Sequence, residues 1–131
     1  MIRKEVMHLA GAADAAAILN GRRTDLSVDT RQASGRTIVV VNGRVTVDSS
    51  PHLRTALHDA IGAGLSVTID VTQASYLDTS AVATLLEAAT LASQRRVALR
   101  LIGLSGDVRV VAERAELDRI FPALGYEVQF A

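Results

Sequence analysis

The chain contains no cysteine and no tryptophan, and two Tyr and two Phe are its only aromatics in 131 residues. Without cysteine there is no disulfide framework, no thiolate nucleophile and no thiolate metal ligand. With so few rings, the core has to be assembled from Val, Ile, Leu and Ala, which the 49% hydrophobic content supplies. An excess of either charge is lacking too: fourteen Lys and Arg balance fourteen Asp and Glu. Nothing therefore draws the chain electrostatically to nucleic acid. No apolar run approaches the ~18 residues of a membrane span. The opening Met1-Ile-Arg-Lys-Glu5 has charges, but Glu5, His8 and Asp14 interrupt any apolar region behind it. These absences point to one soluble, cytoplasmic domain with no direct membrane insertion.

What is present begins with a segment that stands apart. Val6 to Leu19 is Ala-rich without a clean apolar stripe, Gly11 weakens it as a helix, and Asn20-Gly-Arg-Arg23 reads as a turn or helix end. We therefore divide the chain into an extension, 1–23, and a domain, 24–131. In the domain, Leu26, Val28 and Thr30 alternate with Ser27, Asp29 and Arg31, as in a half-buried strand. Gln32-Ala-Ser-Gly35 is a turn and Thr37 to Val41 a second strand, antiparallel to the first because the connection is so short. Ser49 or Ser50 then starts a helix with Pro51 in its first turn, where a missing N–H costs nothing. Leu53, Ala56, Leu57, Ala60 and Ile61 give it a buried face, and Gly62 and Gly64 end it.

The most informative stretch is Val67 to Ala92. A β-branched run, Val67 to Val71, reads as a buried strand. After a polar connection, Asp78-Thr79-Ser80 stands directly before the helix formers Ala81 to Ala92. A Thr or Ser hydroxyl at that junction caps the helix. The same junction favours a phosphate, because the helix end carries partial positive charge and free N–H groups. On this helix, spanning about 79–94, most of the circumference is apolar, and the row Ala81, Leu85, Ala88 and Ala92 is expected to stay open for a partner. Arg95-Arg96 close it. Val97 to Ile102 is a further strand, Val108 to Arg114 a helix with Val110 and Val111 inward, and Leu117 to Phe121 a short amphipathic turn broken by Pro122. Glu127 to Phe130 is available as an edge strand.

Tyr76-Leu-Asp-Thr-Ser80 followed by an aliphatic helix resembles the strand–loop–helix signature of STAS domains, the anti-sigma factor antagonists and their relatives. Ser-x-Pro at a helix start, a Gly-x-Ser loop at Gly103 and Leu117-Asp-x-x-Phe121 also look like that family, in the same order along the chain. Two positions depart from it: Ala81 stands where the family usually has Gly, and Thr46 where it often has Asp, with Asp48 two residues on. The resemblance implies an α/β fold, a mixed β-sheet with helices packed against it in the order β-β-α-β-α-β-α. It also implies a bacterial regulator of transcription that sequesters an anti-sigma factor with serine/threonine kinase activity. Phosphorylation at Thr79, or alternatively Ser80, would then release that partner. Partner-binding residues on this basis are Asp78, Thr79, Ser80, Ala81, Leu85, Ser49 and Ser50. A STAS subunit of a lipid-transport ABC system, or a non-phosphorylated structural or dimerisation module, would fit the same resemblance, and a homodimer is compatible with each.

Catalysis is not indicated. His52 and His58 are six apart and fall on different faces of a helix, and His8 lies in the extension. No nucleophile–base–acid set or metal-ligand spacing emerges, and Gly103-Leu-Ser-Gly106 lacks the Lys-Ser/Thr of a nucleotide-binding loop. Asp78 alone, with no second acid fixed beside it, reads as a residue that shapes the helix entry.

Overall fold

The computed structural model describes residues 26–131 in full. Before them it describes only the antiparallel backbone pairing of β1 (Ile18–Leu19) with β2 (Arg22–Arg23). The rest of the extension, with the reading of Val6 to Leu19 as far as residue 17, lies outside the described residues.

Turn chemistry sets the first hairpin of the main sheet. β3 (Leu26–Ala33) and β4 (Arg36–Val45) pair antiparallel, and Ser34 and Gly35 between them both take positive φ, 54° and 77°. Two successive positive-φ residues give the turn whose twist matches a hairpin, and the glycine takes that conformation without strain. From β4 onward the chain alternates strands with helices. The elements are α1 (Ser50–Gly62), β5 (Ser66–Leu77), α2 (Thr79–Arg95), β6 (Leu99–Leu104), α3 (Gly106–Arg114), α4 (Leu117–Ala123) and β7 (Glu127–Phe130). The sheet order is β3-β4-β5-β6-β7, with β4 to β7 mutually parallel.

Sequential order has a consequence for layering. Each crossover advances to the next strand in the same direction, and strand–helix–strand crossovers are right-handed. The helices of all three crossovers therefore lie on one face of the sheet. Burial follows the same division: Thr37, Val39, Val67, Ile69, Leu99 and Leu101 point to the helices and are at most 1% exposed. Their neighbours Ile38, Val40, Asp70, Arg100 and Ile102 point the other way and are half-buried.

The mixed sheet and helix order agree with expectation; several details do not. α2 is not open along Ala81, Leu85, Ala88 and Ala92, because these residues are 0 to 1% exposed. The small alanines let α2 sit close to the sheet and to Leu53, Leu57 and Ile61 of α1, so an apparently all-round apolar helix has two covered sides. The surface row is instead Thr79, Ala83, half-buried Leu86 and Thr90. In α3 the inward residues are Val108 and Ala112, with Val110 42% exposed. α4 is a full helix with Pro122 inside its last turn, where only one N–H is forfeited. Phe121, fully buried, meets Tyr126 edge-on at 6.4 Å.

One close approach locks β5 to β6. Gly103 has φ 88, and a Cβ there would lie 2.1 Å from Thr72 Oγ1 and 2.7 Å from Thr72 N. Thr72 cannot retreat easily, since its N–H and hydroxyl both donate to Asp70 Oδ1 at 2.9 and 2.6 Å. Gly103→Ala is therefore expected to cost on the order of 2–4 kcal/mol in urea unfolding. Gly62→Ala is the counterpart: beyond its chain neighbours and its own helix backbone, nothing lies within 4 Å of its Cβ position, and its φ is ordinary. In that last helical position the substitution should stabilise by up to about 1 kcal/mol.

Candidate functional site

The junction singled out in the sequence lies where β4 and β5 end at the same edge of the sheet. Val45 and Leu77 are register partners, and the loop 46–49 leaving β4 runs beside the start of α2. Asp78 joins the two. Its backbone is extended (φ −102, ψ −172), its N–H donates to Val45 O at 3.1 Å, and it occupies the position before the first helical residue. Oδ1 accepts from the Ala81 N–H at 3.0 Å and from the Ser80 hydroxyl, while Oδ2 accepts from the Val47 N–H at 2.9 Å. One carboxylate thus satisfies an otherwise unpaired amide of α2 and holds the preceding loop against it. Burial works against its charge, but the donors from Ser80, Ala81 and Val47 together outweigh that and hold its carboxyl below the ordinary range.

This corrects the assignment of the cap. Asp78, not Thr79 or Ser80, caps α2; Thr79 is the first helical residue and is exposed. Among the described residues no hydrogen bond engages the Thr79 hydroxyl. Ser80 is half-buried with its hydroxyl turned to Asp78. Ser49 occupies the predicted position before α1 but does not cap it. Its hydroxyl faces back into the loop, donating to Arg44 O at 3.1 Å and accepting from Thr46 N at 2.9 Å. Ser49 and Ser50 are 4% and 8% exposed, so both support the loop from beneath. Ala81 and Leu85 are likewise interior, so of the predicted partner-binding residues the structure brings Asp78, Thr79 and Ser80 to one surface junction. Where the family often has an acid, Thr46 uses its carbonyl to accept from the Ser49 and Ser50 amides; Asp48 is exposed in the same loop.

Sequence reading missed the apolar surroundings of Thr79. Val47, tied to Asp78 through its amide, is 69% exposed, and Tyr76 is 37% exposed under the Arg44 guanidinium, 4.4 Å from its ring centroid. Val82 and Leu86, half-buried, continue this surface along α2 with exposed Ala83 between them. Val47 sits in a loop with no periodic pattern, so no signal marked it. Tyr76 and Arg44 become neighbours only through the β4–β5 register. Further along, Arg54 of α1 grips Glu87 of α2 through two hydrogen bonds of 2.8 and 2.9 Å, and its guanidinium holds the Glu87 carboxyl below its usual range. Among the described residues no group of His, Asp and Glu could hold a metal ion. No described helix is long and apolar enough to cross a membrane.

The model of the STAS domain family matches residues 27–131. No curated protein matches the chain in sequence. Solved structures share its fold. An anti-sigma factor antagonist from Mycobacterium paratuberculosis superposes with TM-score 0.65 at 16% identity, covering 74% of this chain and 83% of its own. A putative anti-sigma factor antagonist from Thermotoga maritima gives TM-score 0.68 at 12% identity, with 78% and 85% covered. The Bacillus cell fate determinant SpoIIAA in its phosphorylated form gives 0.60 at 14% identity, with 79% and 90% covered.

Three substitutions separate cap, core and surface. Asp78→Ala should cost about 1–3 kcal/mol at neutral pH, through loss of the cap and release of the Val47 amide. Because the folded-state pKa lies below the ordinary 3.8, the wild-type advantage is fully present above that value. It should disappear as pH falls through the lowered folded pKa, so urea unfolding at pH 7 and near pH 2 should show the gap closing. Leu85→Glu buries an unpaired charge and should remove the cooperative transition, a loss of several kcal/mol, whereas Ala83→Glu should leave it in place.

Proposed function

This chain belongs to the STAS domain family, and we propose that within it the chain acts as an anti-sigma factor antagonist switched at Thr79. The partner is an anti-sigma factor with serine/threonine kinase activity. It docks over the start of α2, against Val47, Tyr76, Ala83 and the half-buried Val82 and Leu86, and it phosphorylates Thr79 to release itself.

The observation that carries this reading is the division of labour between Asp78 and Thr79. The capping bonds belong to Asp78, so Thr79 is exposed with a hydroxyl that no internal contact uses. A group added there need not break the fold. A phosphate brings about −1.5 to −2 charges at pH 7, and at the first helical position these meet the positive end of the helix. The same charge beneath a docked partner, beside Val47 and Leu86, would be desolvated, and the Arg44 guanidinium of this surface is already seated on the Tyr76 ring. Folding is spared and binding is lost. SpoIIAA of Bacillus, which shares the fold, exists in a phosphorylated form.

Thr79→Ala and Thr79→Glu test this directly. Neither removes the cap, so both should unfold within about 1 kcal/mol of wild type, with Glu the more stable because of the helix end. Titrated calorimetrically with the kinase-type anti-sigma factor, the Ala form should bind like unmodified wild type. The Glu form should bind at least about tenfold more weakly, roughly 1.4 kcal/mol. Incubating wild type with the partner and ATP should add one phosphate, mapped to Thr79 by mass spectrometry and absent from Thr79→Ala. Equal binding of the two variants, or a phosphate that persists in Thr79→Ala, sinks the switch.

A further inference from the structure

We propose that the outer edge of β3 joins two copies of this chain, antiparallel, across a two-fold axis at Thr30. β3 ends the five-stranded sheet, and among the described residues no strand pairs with its far side. The hairpin geometry says which of its groups face that side. Ala33 and Arg36 flank the two-residue turn and exchange hydrogen bonds. Alternation then turns the backbone groups of Arg31, Asp29 and Ser27 toward β4 and leaves those of Gln32, Thr30 and Val28 pointing outward.

An outward-facing ladder of this kind is a template for another strand, and its side chains suit a copy of itself. A two-fold axis at Thr30 makes Thr30 of each copy a hydrogen-bonded pair, with Val28 opposite Gln32 of the second copy. Asp29 then falls opposite Arg31 of the second copy, and Arg31 opposite its Asp29. These are non-hydrogen-bonded positions, where facing side chains come closest, and opposite charges there are favourable. Among the described residues the two groups pair with each other, Arg31 Nε lying 3.7 Å from Asp29 Oδ2, with side chains 61% and 44% exposed. Among the described residues Asp29 Oδ1 has no hydrogen-bond partner. Val28, Thr30 and Gln32 also form the sheet side of a groove of about 410 Å³ whose other wall includes Ala56 and Ala60 of α1. A strand added at the β3 edge closes the open side of that groove.

The interface is small, so the dimer should dissociate on dilution. Sedimentation velocity of the full chain over a concentration series is expected to show a monomer–dimer equilibrium, with circular dichroism melts verifying the fold of each variant. Thr30→Pro removes an outward N–H without touching the β3–β4 ladder and should leave monomer. Asp29→Arg and Arg31→Asp each put like charges opposite one another and should weaken self-association about tenfold or more. Mixing these two variants restores both opposite-charge pairs, so the mixture should dimerise as wild type does. Wild type that stays monomeric at every concentration overturns the proposal, the edge being then taken by the chain's own preceding segment or by a different protein. Dimerisation untouched by the charge variants, or a mixture that fails to recover, overturns it equally.

Discussion

The carboxylate of Asp78 is the constraint on which the rest of the site depends. Two of its acceptor positions serve α2, through the Ala81 amide and the Ser80 hydroxyl, and a third serves the Val47 amide of the opposite loop. The Ala81 and Ser80 donors would otherwise have to find water at a part-buried junction, where an unmade bond costs about 1–3 kcal/mol, and the exposed Val47 amide would lose its tie to α2. Because one group meets all three demands, the end of β4, the end of β5 and the start of α2 form a single unit. Beneath it, Ser49 binds both Arg44 and Thr46 and keeps the loop in the shape that presents Val47. The exposure of Val47 is thus imposed from below. It is apolar surface held in water by polar contacts.

How much of this could be read from residues alone depended on whether a pattern had a local cause. The β3–β4 hairpin was legible because Ser34-Gly35 is a turn signal and the alternation around it has period two. The junction before α2 was legible because Asp-Thr-Ser ahead of an aliphatic run is a helix start. Which residue caps was not, since Asp, Thr and Ser are about equally able and only the backbone's change from extended at Asp78 to helical at Thr79 chooses between them. Leu85 and the alanines of α2 were misplaced for a related reason. Periodicity tells how much of a helix is apolar but not how many neighbours cover it, and α1 covers a second side. Val110 was misassigned because α3 is short and three valines within four positions, Val108, Val110 and Val111, compete for one inward face.

Helices gathered on one face shape what the chain can present. The sequential order β4-β5-β6-β7 places every connecting helix on the same side, so α2 is clamped between sheet and α1 and has one narrow outward row. Thr79 heads that row. On the proposed reading, a docking partner would meet Thr79, Ala83 and Leu86 in line, with Val47 and Tyr76 at their end. The Arg54–Glu87 pair on the flank leaves polar surface at the margin. Such a patch is modest in area, and electrostatic change at its head can therefore decide occupancy.

The β3 edge and the α2 start are separate surfaces, two strands apart in the order β3-β4-β5. Pairing at Thr30 would consequently leave both copies of Thr79 open. A partner that is itself dimeric would then face two linked sites, and its second contact would form at the effective concentration set by the first. Phosphorylating one of two sites would remove that advantage before the second site is modified. Release would then be steeper in the degree of modification than a single site permits. A monomeric chain with the same Thr79 would instead lose its partner in simple proportion to the phosphate added. If both surfaces act as proposed, the order of assembly and the sharpness of the switch would be linked through the geometry of one sheet.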